Sequence, residues 1–431
     1  MASLRRFQAS KRAFSSLSYS KQAHSPGETT EELLESYRSK GYLPVHIGDS
    51  FRRDKYKVVR KLGYGDYSTV WLAQDLQWLA RGKPPYVALK ILKAKGRGKG
   101  QEAPILHRQK DSGIPGADRI VRSLGQFWIR NKVGGKRKCF ALELTGPSLS
   151  EYQRLFPDRR IPIPIAKRIA RQVLQGLVHL HDTRGIVHTN IQPQNILIKT
   201  PDITKMFYHS HQRSSPFNPP ENFYMKSEPV TPRDEELSQE TNIFIRLAGL
   251  GAASYMNKKL YSWSDRKSFR PPEVILDAPW DHKVDIWNFG LMMWELVLGN
   301  RYFDNPAVPY HSDTVHLAHI EEKIGLFPDS LLNISNSRDK FFDSQDRLRN
   351  CNASRRISLE CLCGSRSGYG WEIENFTDFI LSTLALEPRR RPSASELLKA
   401  KWLQDTTDDY EALRKLLGRT SSLRRHLEGT Y

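Results

Sequence analysis

Residues 188–195 form a short polar segment whose side chains could bind a reacting group. The segment reads His-Thr-Asn-Ile-Gln-Pro-Gln-Asn. Its amides, Asn190, Gln192 and Asn195, can orient a hydroxyl group or offer a carbonyl oxygen, but an amide cannot take up the proton of that hydroxyl. Alone, the segment is also compatible with a polar loop between two apolar runs, so its surroundings must decide.

Upstream, residues 61–70 form a second candidate segment, in which two glycines flank a tyrosine. It reads Lys-Leu-Gly-Tyr-Gly-Asp-Tyr-Ser-Thr-Val. Gly63 and Gly65 would allow the backbone to approach phosphate groups without an intervening side chain. A lone glycine pair is weak evidence for a phosphate site, and its interpretation depends on the motifs that follow.

Six motifs stand in the order and at the spacing found in protein kinases. They are the glycine segment, Val-Ala-Leu-Lys ending at Lys90, Glu-Ala-Pro-Ile-Leu starting at Glu102, Arg-Pro-Pro-Glu at 270–273, Asp-Ile-Trp-Asn-Phe-Gly at 285–290, and Arg391. The chain therefore resembles the protein-kinase family over roughly residues 40–405. Residues 45–49, 68–73 and 341–348 further resemble the SR-protein kinases, a serine/threonine kinase branch.

The resemblance implies a bilobal α+β fold, with a small antiparallel-sheet N-lobe that carries one regulatory helix and a larger, mainly helical C-lobe. We place the N-lobe at 41–144 and the C-lobe at 145–405, with polar inserts at about 200–240 and 328–370. Strands are predicted around 56–61, 69–73, 87–92, 126–130 and 138–142. Ile165, Ile169, Val173, Leu177 and Leu180 recur at helical spacing and predict a helix over 164–182.

The resemblance also implies an ATP-type pocket. In it, Val70 and Ala88 would cover one face of an adenine and Leu197 the other, and the backbone of Glu143 and Leu144 would bond the purine edge. Lys90, paired with Glu102, would hold the phosphates. The predicted nucleotide-binding residues are Leu62, Gly63, Tyr64, Gly65, Asp66, Ser68, Val70, Ala88, Lys90, Glu143, Leu144 and Leu197.

The positions that carry chemistry in a kinase hold other residue types here. By resemblance, Asn190 stands at the catalytic-base position, Gln192 at the phosphate-lysine position and Gly249 at the metal-aspartate position, which leaves Asn195 as a neutral metal ligand. Because Mg²⁺ is bound largely through carboxylate and phosphate oxygens, we expect Mg²⁺ binding to be weak or absent. Asp66 could repel a nucleotide or serve as a substitute metal ligand.

Two functions follow from this pattern. In the first, the chain is a pseudokinase that binds nucleotide or protein and regulates an active kinase or its Arg/Ser-rich substrates. In the second, it is an ATP-dependent serine/threonine kinase of weak or unconventional activity on Arg/Ser-rich substrates. The combined replacements at Asn190, Gln192 and Gly249 favour the first.

Composition limits the possible partners. The formal net charge is +20, and basic residues concentrate between Lys90 and Lys138, a surface that would attract acidic or phosphorylated proteins. Few aromatic residues interrupt this basic run, so specific nucleic-acid binding is not expected. No apolar run is long enough to span a bilayer, and the four cysteines do not suggest a disulfide scaffold.

The two ends of the sequence differ from the kinase-like region. Residues 1–40 form a basic, serine-rich segment, and the first 27 residues contain no acidic residue. This composition is typical of a mitochondrial targeting peptide. A basic tail on a cytoplasmic or nuclear protein is the alternative. Residues 406–431 are assigned to a C-terminal tail.

Overall fold

The computed structural model describes Glu32, Tyr37 and residues 41–79, 86–94, 102–108, 113–131, 135–199, 243–257, 269–303, 312–349 and 371–404. Over these residues the predicted α+β fold is confirmed, with an antiparallel sheet in the N-terminal lobe and a helical C-terminal lobe. Apart from Glu32 and Tyr37, the predicted segment 1–40 lies outside the described residues. So do the insert predicted at 200–240, the cysteines beyond residue 350 and the tail at 406–431.

A six-stranded antiparallel sheet with strand order β1-β2-β3-β4-β6-β5 forms the N-terminal lobe. Its strands are β1 (Ser50–Phe51), β2 (Tyr56–Gly65), β3 (Ser68–Asp75), β4 (Tyr86–Leu92), β5 (Ser123–Asn131) and β6 (Gly135–Leu142). Each of the five predicted strands is present and is longer than predicted. The two-residue β1 is too short to leave an alternating pattern in the sequence.

Two helices accompany this sheet, namely α1 (Leu76–Leu79) and α2 (Glu102–Arg108). One face of the sheet buries an apolar cluster in which Trp71, Leu89 and Cys139 are fully enclosed. Ile105 and Leu106 of α2 instead join the large apolar cluster that continues into the C-terminal lobe. Helix α2 therefore packs into both lobes, and its position depends on both.

The C-terminal lobe is mostly helical, with two short antiparallel strand pairs near the interlobe cleft. The pairs are β7 (Ile186–Val187) with β10 (Ser254–Tyr255), and β8 (Ile196–Lys199) with β9 (Phe244–Leu247). The helices are α3 (Leu149–Tyr152), α4 (Ile163–Val178), α5 (Pro272–Ile275), α6 (Lys283–Leu298), α7 (Asp313–Lys323), α8 (Asp329–Leu332), α9 (Arg338–Phe341), α10 (Trp371–Thr383), α11 (Ala394–Leu397) and α12 (Lys401–Gln404).

Helix α4 forms where the four-residue apolar spacing predicts it. Ile165, Ile169, Val173 and Leu177 are completely buried on one side. The helix ends earlier than predicted, because the backbone widens into a single π-helical turn over His179–Thr183. That turn carries Leu180 into the same core and leads directly to β7.

Helix α6 is the centre of the C-terminal lobe. All its residues from Val284 to Leu298 are buried except Glu295, in accordance with its nearly continuous apolar sequence. It ends at Gly299, whose φ of +78° closes the helix in the left-handed region. A Cβ on Gly299 would lie 2.1 Å from the carbonyl oxygen of Asp158, so only glycine fits.

A buried ion pair ties α5 to the segment that precedes α11. Arg391 donates to both carboxylate oxygens of Glu273, over 2.5 and 2.8 Å, and both side chains are fully enclosed. The guanidinium also lies 4.9 Å from the ring centroid of Trp287 on α6. Although Glu273 and Arg391 lie far apart in sequence, their contacts link α5, α6 and the segment before α11.

Candidate functional site

The glycine segment forms the hairpin between β2 and β3, in which Gly65 pairs with Ser68 across the turn. Residues Tyr64 to Tyr67 are exposed. A Cβ on Gly63 or Gly65 would meet no other atom within 4 Å, so neither glycine is required for packing. What the glycines provide is open space beside the backbone, as a phosphate-binding segment requires.

The predicted ion pair between Lys90 and Glu102 is formed. Lys90 lies on β4, between Val70 of β3 and Phe140 of β6. Its Nζ contacts Oε1 of Glu102 on α2, and both side chains are largely buried. The pair reaches the floor of the cleft, since a Cβ on Gly251 would lie 3.5 Å from Oε2 of Glu102.

The predicted adenine-covering residues come from both lobes. Ala88 is buried opposite Leu142 in the β4–β6 pairing, and Val70 is half-buried on β3. Leu197 lies half-buried on β8 of the other lobe. Leu62 and Leu144 pack together against buried Leu72, which fixes the start of the glycine hairpin against the segment joining the lobes.

Glu143 is held by contacts within the protein. Its backbone N–H donates to the carbonyl oxygen of Arg122 over 2.9 Å. Its side-chain Oε1 accepts from the backbone of Arg122 over 2.8 Å and from Nε of Arg246 over 2.9 Å. A bond from this residue to a purine would therefore have to use its carbonyl oxygen.

Asn190, Gln192 and Asn195 bind one another between β7 and β8. Nε2 of Gln192 donates to Oδ1 of Asn190 over 2.6 Å, and Nδ2 of Asn195 donates to the backbone oxygen of Asn190 over 2.8 Å. Gln192 is buried, and its Oε1 has no hydrogen-bond partner among the described residues. This amide network can position a polar group, but none of its members can act as a base.

A buried carboxylate from α6 holds the backbone of the same loop. Asp285 accepts from the backbone N–H of His188 and of Thr189, each over 2.7 Å. It also accepts from Nε2 of His181 over 2.8 Å. Thr189 has a φ of +64°, which costs a β-branched residue about 1–3 kcal/mol and requires surrounding contacts to maintain it. Asp285 supplies those contacts.

His188 joins this loop to the segment that enters the cleft floor. Its Nε2 donates to the carbonyl oxygen of Ala248 over 2.9 Å, while its Nδ1 accepts from the N–H of Asn190. Complete burial lowers the pKa of His188, although the charge of Asp285 acts in the opposite direction. His188 is therefore a neutral imidazole with both nitrogens engaged.

Gly249 has no room for a side chain. Its φ is +77°, and a Cβ would lie 2.5 Å from Cγ and 2.6 Å from Oδ1 of Asn195. Asn195 is itself held by Asn190, so it cannot move aside without breaking that bond. The side chains left near Gly249 that could bind a metal ion are neutral amides. They do not fit Mg²⁺, which selects carboxylate and phosphate oxygens in octahedral geometry. No cluster of His, Cys, Asp or Glu suited to a metal ion occurs within the described ranges.

The sequence does not predict the contacts that Tyr42 and Glu32 make with Gly65 and Lys61 of the glycine hairpin. The hydroxyl of Tyr42 donates to the carbonyl oxygen of Gly65 over 2.7 Å, and Nζ of Lys93 lies 3.9 Å from the Tyr42 ring centroid. Burial, together with the negative charges of Glu32 and Asp66, raises the pKa of Tyr42, so the hydroxyl stays protonated. Glu32 in turn contacts Lys61 over 2.5 Å. We call Glu32, Tyr37 and Tyr42 the N-terminal clamp.

Fold and site together define a protein kinase domain. The family model described as protein kinase domain matches residues 56–403, and the chain belongs to this family. Its members in general use ATP with Mg²⁺. No helix in the described part of the chain is long and apolar enough to cross a membrane.

Among curated proteins, the chain is similar to the serine/threonine-protein kinase SRPK of Physarum polycephalum, at 29% identity over 88% of this chain and 92% of the relative. It is also similar to protein kinase dsk1 of Schizosaccharomyces pombe, at 26% identity over 88% and 86%. SRSF protein kinase 3 of Mus musculus matches at 24% identity over 86% and 90%. The similarity to SR-protein kinases expected from the sequence is thus supported at the family level.

Proposed function

We propose that this chain is a pseudokinase, which binds a nucleotide in the cleft without Mg²⁺ and regulates a protein partner. The observation that carries the proposal is the contact between Gly249 and Asn195. A kinase needs a metal-binding carboxylate at the first position of this triplet, and here the amide of Asn195 occupies the space that its Cβ would need.

The remaining positions support the same conclusion. Asn190 and Gln192 carry neutral amides, which supply neither a base nor a cation, and Gln192 donates a hydrogen bond to Asn190. A positioned general base contributes about 10²–10⁴ in rate, or roughly 3–5 kcal/mol of barrier. The losses of base, phosphate lysine and metal ligand act on one transition state and do not simply add. With all three groups replaced, we expect no efficient phosphotransfer.

Nucleotide binding is supported by the parts of the site that are complete. The Lys90–Glu102 ion pair is formed, the glycine hairpin leaves its backbone open, and apolar residues from both lobes stand at the adenine positions. Without a metal ion, Lys90 is the cation best placed to meet phosphate charge. The partner we propose is an active kinase or an Arg/Ser-rich substrate, in keeping with the resemblance to the SR-protein kinases and with relatives named serine/threonine-protein kinase SRPK and SRSF protein kinase 3.

The test combines binding and chemistry in one protein preparation. Thermal shift is measured with ATP, with and without Mg²⁺, beside transfer of labelled phosphate to an arginine-serine peptide. Lys90→Ala is the site variant. Lys57→Ala, at an exposed position on β2, is its matched control. Stabilisation by ATP that does not need Mg²⁺ and is lost only in Lys90→Ala supports the proposal. Transfer above the level of Lys90→Ala would contradict it.

One observation favours the second candidate function, a kinase of weak or unconventional activity on Arg/Ser-rich substrates. The Lys90–Glu102 contact is the arrangement that catalysis requires of this helix. In that case peptide phosphorylation would depend on Lys90 and would persist in Asn190→Ala, since an amide at that position contributes little as a base.

A further inference from the structure

The outer strands of the N-terminal sheet carry an exposed tryptophan among basic side chains. Trp128 on β5 is 56% exposed, compared with 41% for Tyr64 and 40% for Phe244. Nζ of Lys136 and of Lys138, both on β6, lie 5.7 and 5.9 Å from its ring centroid. The indole is therefore held between two ammonium groups by cation–π contacts.

The strand register explains why these residues share one face. Trp128 pairs with Lys138, and Arg130 pairs with Lys136. Because side chains alternate across a strand, Gln126, Trp128 and Arg130 point to the same side of β5, whereas Ile129 between them is buried in the lobe core. We call Gln126, Trp128, Arg130, Lys136 and Lys138 the tryptophan patch.

The charge of the tryptophan patch is of one sign. Neither β5 nor β6 contains an aspartate or a glutamate, so three cations stand together with no acid on either strand. Burying such a face against another protein is favourable only if the partner supplies negative charge. An exposed aromatic ring beside cations is also the composition that concentrates binding energy at protein interfaces.

Strand β5 lies at the end of the sheet. Its inner side pairs with β6 throughout, and no strand among the described residues pairs with its outer side. An extended peptide can add to such an edge through backbone hydrogen bonds. Every second side chain of that peptide would then project onto the face that holds Trp128.

We propose that the tryptophan patch binds an extended acidic segment of a partner protein, with Glu or Asp at alternate positions. A single-stranded nucleic acid is the weaker fit, because stacking successive bases requires several aromatic rings and this patch offers one. The patch contains neither Lys90 nor Glu102 nor the amides at 190–195, so the inference does not depend on whether the chain transfers phosphate.

The experiment uses the full chain and a fluorescein-labelled peptide of alternating glutamate and threonine, followed by fluorescence anisotropy. The same peptide with glutamine in place of glutamate tests the need for charge, and single-stranded oligouridine tests the alternative ligand. The variants are Trp128→Ala and the double charge reversal Lys136→Glu with Lys138→Glu. Lys399→Glu with Lys401→Glu changes the charge equally at exposed positions of the C-terminal lobe.

We expect the glutamate peptide to bind at least about tenfold tighter than the glutamine peptide, and each patch variant to weaken it by about tenfold or more. The C-terminal lobe variant should bind like the wild type, and all proteins should keep the wild-type melting temperature. Equal binding of the two peptides, or an equal loss in the C-terminal lobe variant, would overturn the proposal. Tighter binding of oligouridine that Trp128→Ala abolishes would overturn it as well.

Discussion

Position 249 holds a glycine, and the space around it admits no side chain. The sequence predicts that a metal-binding carboxylate is missing there, and in the structure the Asn195 amide lies 2.5 Å from the position that a Cβ would take. Restoring the missing residue by substitution is therefore not a simple reversal. The backbone conformation and the neighbouring amide would both have to change.

We predict that Gly249→Ala and Gly249→Asp each lower the free energy of unfolding by about 1–3 kcal/mol, because a side chain at φ +77° is strained. Urea unfolding measures this. Gly63→Ala is the matched control, since its Cβ would contact nothing within 4 Å, and it should stay within about 0.5 kcal/mol of the wild type. A Gly249→Asp protein that is fully stable and binds ATP only with Mg²⁺ would show the prediction to be wrong.

His188 predicts how stability depends on pH. Burial lowers its pKa in the folded protein, so below its unfolded pKa of about 6.5 the unfolded chain binds more protons than the folded chain. The free energy of unfolding should then fall as the pH falls below 6.5, by up to about 1.4 kcal/mol per pH unit for this one group. The side chains of Asp285 and His181 adjoin His188.

The contribution of His188 can be isolated by substitution. His188→Gln keeps a donor for the carbonyl oxygen of Ala248 but removes the titration, so its unfolding free energy should depend less steeply on pH between 6.5 and 5. Lys57→Ala, at an exposed position on β2, provides the control and should keep the wild-type slope. Identical slopes in all three proteins would rule out His188 as the source.

At the scale of elements, the glycine hairpin is held from outside by the N-terminal clamp. We predict that Tyr42→Phe lowers the free energy of unfolding by about 1 kcal/mol, because the bond to the Gly65 carbonyl is lost. Amide hydrogen exchange should also become faster in residues 61–68. Tyr64→Phe, on the same hairpin but 41% exposed, should change neither measurement. Unchanged exchange in Tyr42→Phe would mean that the hydroxyl does not restrain the hairpin.

The sequence predicts some strands and helices but gives no sign of other structural elements. Helix α4 follows from its four-residue apolar spacing, because burial of one face selects that spacing. Strands β2 to β6 follow from the resemblance to the kinase family, which places a strand at each of these positions. The π-helical turn at His179–Thr183 changes no apolar period, so no pattern marks it. The N-terminal clamp is equally unmarked, since the Tyr42–Gly65 bond joins residues that lie 23 positions apart and depends on their three-dimensional arrangement.

For the molecule as a whole, the Glu273–Arg391 pair is a contact whose loss should be costly, because both side chains are fully enclosed. Removing Arg391 leaves an unpaired carboxylate in the core, so Arg391→Ala should lower the free energy of unfolding by about 3–5 kcal/mol in urea titrations. Its neighbour Arg390 pairs with Glu387 at the surface with 79% of its side chain exposed, and Arg390→Ala should cost less than about 1 kcal/mol. Similar losses in both variants would mean that burial does not determine the cost.

Motif spacing predicts Lys90, Glu102, Asn190, Gln192 and Asn195 as site residues, because short segments carry them in a fixed order. It does not predict that Gln192 donates to the side chain of Asn190, that Asn195 donates to the backbone oxygen of Asn190, or that Arg246 pairs with Glu143 across 103 positions. The first two contacts depend on the conformation of the loop and the third on the packing of distant segments, which no local pattern encodes.

Asp285 has a consequence for how this loop can be engineered. Asp285 accepts hydrogen bonds from the backbone N–H groups of residues 188 and 189. Every residue except proline has such an N–H group. The position of the loop is therefore largely independent of the side chains at 190 and 192. A combinatorial library at those two positions should yield mostly folded proteins. New ligand specificities could then be selected in this cleft without redesigning the scaffold.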